Sequence, residues 1–143
     1  MNRGLTSDDL GGLLDEVHLA HLATFRKDGS VLLSPIWYLW EDGGFTLAMA
    51  SGDGKLTHLA RDPRVTIVVG EDAVPYRGFE MRGTATLLDI PYGPTIRRIA
   101  ERYVGAKGAA FYDDDHGGTI VRIEEGASRG WDFRDDLEAM GVF

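Results

Sequence analysis

The chain is 143 residues long, carries a formal net charge of −8 and contains no cysteine. That length fits a single domain, residues 1–143, with enough chain to bury its own core. The missing cysteines exclude disulfides, a thiol nucleophile and thiolate metal sites, and the acidic balance argues against nucleic acid as a partner. No apolar run reaches the ~18 residues a bilayer requires. The opening MNRGLTSDDLGGLLDEV is polar and acidic where a secretion signal is basic and then apolar, so a cytoplasmic protein without a membrane partner is expected.

Thr6-Ser7-Asp8-Asp9 ahead of Leu10, Leu13, Leu14 and Val17 predicts a capped N-terminal helix. Asp28-Gly29 and Asp42-Gly43 are turn pairs that tolerate positive φ. The apolar, β-branched and aromatic runs around them predict antiparallel strands over 18–26, 30–40 and 44–50. Leu56, Leu59 and Ala60 share one face of a short helix that Pro63 ends. Strands follow at 64–72 and 77–89. Ile96, Ile99, Ala100 and Tyr103 have helical spacing, with Pro94 near the start and Gly105 as a stop. A last strand covers 118–133, and the tail from Asp135 is a short helix or loop. Six strands joined mostly by hairpins, with helices at the corners, predict a mainly β fold, a small antiparallel barrel with appended helices. A parallel doubly wound sheet would need helical crossovers between the first three strands, for which there is no room.

The stretch SGDGKLTHLARDPRV, 51–65, is the most distinctive. Lys55 is one of three lysines, against twelve arginines. A nucleotide P-loop is excluded, because Met49 stands where the first glycine is needed and Leu56 follows the lysine. A glycine loop entering a helix still presents free N–H groups and the positive end of the helix dipole. Lys55 adds a full charge there, and Arg61 and Arg64 follow closely. Two readings of the loop stand: a phosphate site, or a plain strand-to-helix turn with a solvated lysine.

The ordered set LAT…DG, P-x-W-Y, K-x-x-x-L-x-R-D-P-R-V, R-G-T-A and a terminal RGWDF, spread over residues 17–133, resembles the split β-barrel flavin and deazaflavin oxidoreductases. These form the superfamily named for pyridoxamine 5'-phosphate oxidase. The short chain and RDPRV are most similar to its actinobacterial branch, which binds the deazaflavin F420. The resemblance implies a six-stranded antiparallel split β-barrel, a homodimer, and a cofactor site at the subunit interface. It implies F420 as cofactor, with FMN as the alternative, and hydride transfer to an electron-poor small molecule. A cofactor- or haem-sequestering module and a dimer without a site stay open beside it.

By that resemblance Lys55 contacts the cofactor phosphate together with the loop at Ser51, Gly52 and Gly54. His58 donates to the phosphate or tail, or else is an exposed helix histidine. Relatives often carry a basic residue two positions before the lysine. Asp53 stands there, and an acid beside a dianion is unfavourable unless it turns away. Pro35, Ile36 and Trp37 match the strand along the flavin-like ring. Pro35 cannot donate to a ladder, which implies an edge or bulge and a freed backbone group. The side chains of Trp37 and Trp40 read as barrel or dimer-core aromatics. Tyr76 aligns with an aromatic near the cofactor, and Trp131, with Arg129, reaches the partner's cofactor or sits in the dimer core. Arg77 and Arg82 rank low as anion partners.

His18 and His21 have no third ligand nearby in the sequence, so no metal site is expected. The run Asp113-Asp114-Asp115-His116 reads as an acidic turn. No dedicated catalytic acid is identifiable, so the expected mechanism is positioning and stabilisation of developing negative charge by N–H donors.

Overall fold

The computed structural model describes all 143 residues. Nine strands and three α-helices follow in chain order: β1 (Asn2–Leu5), β2 (Ala20–Phe25), β3 (Val31–Ile36), β4 (Leu39–Glu41), β5 (Gly44–Ala50), α1 (Gly54–Arg61), β6 (Arg64–Gly70), β7 (Gly78–Leu88), α2 (Tyr92–Phe111), β8 (Gly118–Ile123), β9 (Ala127–Asp132) and α3 (Arg134–Ala139). The main path of the sheet is β3-β2-β6-β7-β8-β5-β4, with β9 pairing both β7 and β1. Every pairing is antiparallel. The eleven-residue β7 links the two halves: Gly78–Arg82 pairs with both β6 and β9, and Ala85–Leu88 pairs with β8.

The alternation read from the sequence is present and places one face inside. Ala20, Leu22 and Thr24 of β2, Val65, Ile67 and Val69 of β6, and Phe79 and Met81 of β7 are buried. They meet Phe45, Leu47 and Met49 of β5, Val121 and Ile123 of β8, and Leu59 of α1. The Asp42-Gly43 turn has positive φ at both residues, as a two-residue type I′ hairpin requires. Pro35 lies on β3, an edge of the sheet.

The strand count differs from the expected six, for local reasons. The predicted strand 30–40 leaves the ladder at Trp37 and Tyr38, because Tyr38 turns into the core and its hydroxyl donates to the Leu14 carbonyl at 3.1 Å. The predicted strand 118–133 breaks at Glu124–Gly126 into β8 and β9, which pair with different halves of β7. An N-terminal strand, β1, was not anticipated.

The predicted N-terminal helix is instead two 3-10 turns, Ser7–Leu10 and Leu13–Asp15. Its cap forms as read, with the Thr6 N–H and hydroxyl both donating to Asp9 at 2.8 Å. Gly11 and Gly12 then take positive φ, at 62° and 84°, and stop propagation. Leu10, Leu13 and Leu14 are nevertheless buried and plug one end of the barrel. Helix α2 starts earlier than predicted and breaks at Gly105, where φ is 76°, before helical turns resume to Phe111.

At Gly118 of β8 an added Cβ would lie 2.4 Å from the Met49 carbonyl oxygen and 2.5 Å from Tyr92 Cε1. The carbonyl belongs to the β5 ladder and cannot swing aside. Gly118→Ala is expected to cost about 1–3 kcal/mol through overpacking. Thermal unfolding checks this, with a fall of several degrees expected.

Candidate functional site

Beyond Ile36 the chain runs outside the ladder for two residues, and Trp37 makes none of the turn and loop backbone hydrogen bonds. Its peptide groups are therefore available at the sheet edge. Its indole stacks on Tyr103 of α2, with centroids 5.0 Å apart and planes within 6°. The Tyr103 hydroxyl donates to the His18 carbonyl at 2.7 Å and receives the Tyr38 N–H at 3.2 Å. These bonds fix α2 across the open side of the barrel.

A cavity of about 420 Å³ lies between α2 and the strands. β3 contributes Pro35 and Ile36, the segment after it Trp37, and β5 Ala48 and Ala50. The two alanines leave the space that larger strand residues would fill. α2 contributes Tyr92, Ile96 and Ile99, with Leu19 and Tyr112 at the margins. The lining is almost wholly apolar. Burial, reinforced by Tyr112 and the Asp53 carboxylate, pushes the Tyr92 hydroxyl above the usual phenol range.

β5 leaves the cavity wall at Ala50 and turns through Ser51-Gly52 into α1. Asp53 caps the helix. One carboxylate oxygen accepts the Lys55 N–H at 2.9 Å, and the other meets Lys55 Nζ at 3.0 Å. This ion pair begins three residues past Ala50, the last β5 residue of the cavity wall. The Lys55 side chain is only 15% exposed, and its ammonium is held at the helix start. Asp53 thus turns onto its own lysine, half-neutralising the charge that an anion would use.

Pro35, Ile36 and Trp37 line one wall of the cavity; Ser51, Gly52, Gly54 and Lys55 are not among its lining residues and follow Ala50, where β5 leaves that wall. The Trp37 side chain lines the cavity, whereas Trp40 packs against Phe45 and Phe79 in the core. His58 is half-buried, with Nδ1 3.1 Å from the hydroxyl of the buried Thr24. It is not the exposed helix histidine that was one expectation.

Tyr76 and Trp131 lie elsewhere in the protomer. Tyr76 is in the β6–β7 loop with φ 57°, and Trp131 of β9 packs over Gly78 of β7, beneath the Arg129 guanidinium at 4.9 Å. β7 is three strands from β3, roughly 14 Å across the sheet. One protomer therefore does not bring these two residues to the cavity.

Sequence reasoning missed the α2 wall. Tyr92, one residue past Pro91, and the alternating small residues of LAMA in β5 were the available signals.

Arg77 is committed to structure. It donates to both oxygens of Glu71 at 3.0 and 2.6 Å, to Glu16 at 2.9 Å, and to the Leu10 carbonyl at 2.8 Å. His18 Nε2 lies 3.0 Å from Glu16. The ligand atoms of Glu16, His18 and Glu71 fall within 4.8 Å of one another, a convergence the sequence did not reveal. The guanidinium sits on both carboxylates and makes this an ion-pair network.

The Arg77 hydrogen bonds hold the Glu71 carboxyl below its ordinary 4.5, and the His18 contact does the same for Glu16. A lowered folded pKa stabilises above the unfolded value and is lost as pH falls through the folded one. The urea midpoint is expected to change little from pH 8 to 5 on account of this network, and to drop below about pH 4.5. Arg77→Leu should lower the midpoint at neutral pH and flatten its acid limb.

An antiparallel sheet curled into a split barrel, with an apolar cleft at its edge and a lysine-bearing helix start just past the cleft-lining strand, defines a class of cofactor-binding proteins. The pyridoxamine 5'-phosphate oxidase family profile matches residues 7–130, and the chain belongs to that family. It thereby joins the split-barrel flavin and deazaflavin oxidoreductase superfamily.

Among solved structures, the conserved hypothetical protein Rv2991 from Mycobacterium tuberculosis is 25% identical, with 91% of this chain and 86% of that one covered and a TM-score of 0.73. An F420 reductase is 24% identical, with 82% and 93% covered and a TM-score of 0.69. A FAD-binding protein, mll6688 from Mesorhizobium loti, is 20% identical, with 90% and 95% covered and a TM-score of 0.65. No curated protein sequence matches significantly. No helix is long and apolar enough to cross a membrane.

The cleft suits a flat heteroaromatic ring, since its walls are apolar and the Trp37 peptide lies free at its edge. The α1 start suits an anionic tail through Lys55 and the Gly54 N–H, with Asp53 as a competing negative charge.

Proposed function

We propose that the protein is a homodimeric oxidoreductase that binds F420 and transfers a hydride between the C5 carbon of that cofactor and an electron-poor small organic substrate. The observation that carries this reading is the apolar cleft of about 420 Å³, walled by Pro35–Trp37 and by Ala48 and Ala50, after which the chain turns into the Lys55 helix start. A bound deazaflavin supplies hydride chemistry, and the chain supplies position and shielding.

Ile36 and Trp37 hold the pyrimidine edge of the ring through backbone groups. Ser51, Gly52, Gly54 and Lys55 hold the phosphate, and His58 braces α1 from behind by its contact with Thr24. The walls of α2 exclude water from one side of the ring.

Dimerisation is supported by an uncovered apolar face beside the cleft. Leu33 and Val31 of β3 are 63% and 48% exposed, and they share the outer face of the sheet with Pro35 and with Ala23 and Phe25 of β2. A second copy docked there covers this surface and brings its own Tyr76 and Trp131 towards the open side of the ring.

The test is an assay of reduced F420 oxidation in the presence of a panel of quinones, enones and nitroaromatics. Protein-dependent oxidation with at least one acceptor is expected. Turnover with reduced FMN and none with reduced F420 would reassign the cofactor, and turnover with neither would remove the enzymatic reading.

A further inference from the structure

The outer face of the sheet carries a second hollow, of about 540 Å³, that shares no residue with the cleft. Its floor is a square of four residues on neighbouring strands. Arg64 of β6 pairs with Thr84 of β7, and Thr66 pairs with Arg82. Cross-strand partners, and residues two apart on a strand, project to the same side, so both arginines and both threonines face outward together. Two guanidinium groups on one diagonal repel. The chain supplies little to offset this. Arg82 has no ion-pair partner: Glu80, on the same face of its strand, is held by Arg129 at 3.3 Å, and Glu124, whose carbonyl approaches Gly83, gives its carboxylate to Arg122 at 2.9 Å. Arg64 lies over the Phe25 ring and gives Nε and Nη2 to Asp62 at 3.0 and 2.8 Å, which leaves Nη1 free. The Arg61 guanidinium reaches the Phe25 carbonyl at the same end of the sheet. Three guanidinium groups therefore gather around a single carboxylate, Asp62, in a chain of net charge −8. A local excess of positive charge with unused donors is a place for an anion.

We propose that this hollow is a second ligand site, which binds a small organic dianion, either a phosphate monoester or a dicarboxylate. Arg82 is its anchor, because a guanidinium meets either kind of oxyanion with two parallel N–H donors. Arg64 Nη1 and the Thr66 and Thr84 hydroxyls add donors around it. Phe25 and Ala127 flank the carbon part of the ligand. The site uses neither the cleft nor Lys55, so it stands apart from the redox reading.

The experiment is an amide NMR titration of the isotope-labelled full chain with inorganic phosphate and, separately, with succinate, at mildly alkaline pH and fixed ionic strength balanced by chloride. Saturable shifts of the Thr66, Gly83 and Thr84 amides are expected with at least one of the two. Phosphate alone identifies the ester class, and succinate alone the dicarboxylate class. Arg82→Gln, an exposed change whose fold is verified by its unfolding curve, should weaken that binding about 5–10-fold, less than the loss of a buried charged hydrogen bond because the hollow is open. Lys55→Ala should leave it within about twofold, as expected for a distant and independent site. No saturable shift with either anion, equal binding in Arg82→Gln, or loss of the same shifts in Lys55→Ala overturns the proposal. A parallel F420 titration keeps the two readings distinct: absence of F420 binding sinks the cofactor reading alone, and F420 binding without these shifts sinks the second site alone.

Discussion

Lys55→Ala is expected to weaken F420 binding about 10–100-fold, the loss of one charge-assisted hydrogen bond of roughly 1.5–3 kcal/mol. The other cations close to Lys55 in sequence, and Arg77, are committed elsewhere. Arg77 is held by Glu71 and Glu16, Arg64 by Asp62, and Arg61 by the Phe25 carbonyl. The variant should fold normally, because Asp53 still caps α1 through the Lys55 backbone N–H, which alanine retains. It also leaves Asp53 without its counter-charge and facing the phosphate, which adds to the loss. Lys55→Arg should recover part of the affinity, since charge is kept while reach and geometry change. Fluorescence titration of the three proteins checks this, and an unchanged dissociation constant in Lys55→Ala removes the phosphate site.

Asp53→Asn should act in the opposite direction. Asparagine is as good an N-cap as aspartate, so α1 keeps its start. The side-chain oxygen still accepts the Lys55 N–H, but the ammonium is released from its 3.0 Å ion pair and is free for the ligand. Two like charges about 6 Å apart at an effective dielectric of 20 repel by roughly 3 kcal/mol, and solvent screening at a partly exposed site reduces this to about 1 kcal/mol. F420 binding should tighten about fivefold at low salt and by less at high salt. In a Lys55→Ala background Asp53→Asn should give at least as large a gain, because the carboxylate without its counter-charge repels the phosphate more strongly. Weaker binding in Asp53→Asn would mean that the carboxylate aims Lys55 and does not oppose the tail.

The inward faces of β2, β5, β6 and β7 could be read directly, because alternation and turn chemistry are local properties. Pro35 marked a sheet edge for the same reason, since a residue without an N–H cannot sit in a central ladder. The break at Trp37-Tyr38 was hidden, because aromatic and apolar residues there continue a good strand pattern. Only the reach of Tyr38 to Leu14 makes the chain leave the ladder. Leu10, Leu13 and Leu14 carried a helical spacing that Gly11 and Gly12 override.

One wall of the cavity was legible through Pro35 and Trp37, and the other was not. The distance from Tyr92 to Ala50 is set by how α2 lies across the sheet, which the Trp37–Tyr103 stack decides. Tyr76 and Trp131 lie outside the cavity of their own protomer.

A deazaflavin ring in this cleft, with its anionic tail at Lys55, is read out by equilibrium titration of the purified protein with F420 and, separately, with FMN. Because Trp37 lines the cleft, intrinsic tryptophan fluorescence reports the event. Saturable quenching by F420 at one equivalent per chain is expected, with weaker binding of FMN. Quenching by FMN alone, or by neither cofactor, contradicts it.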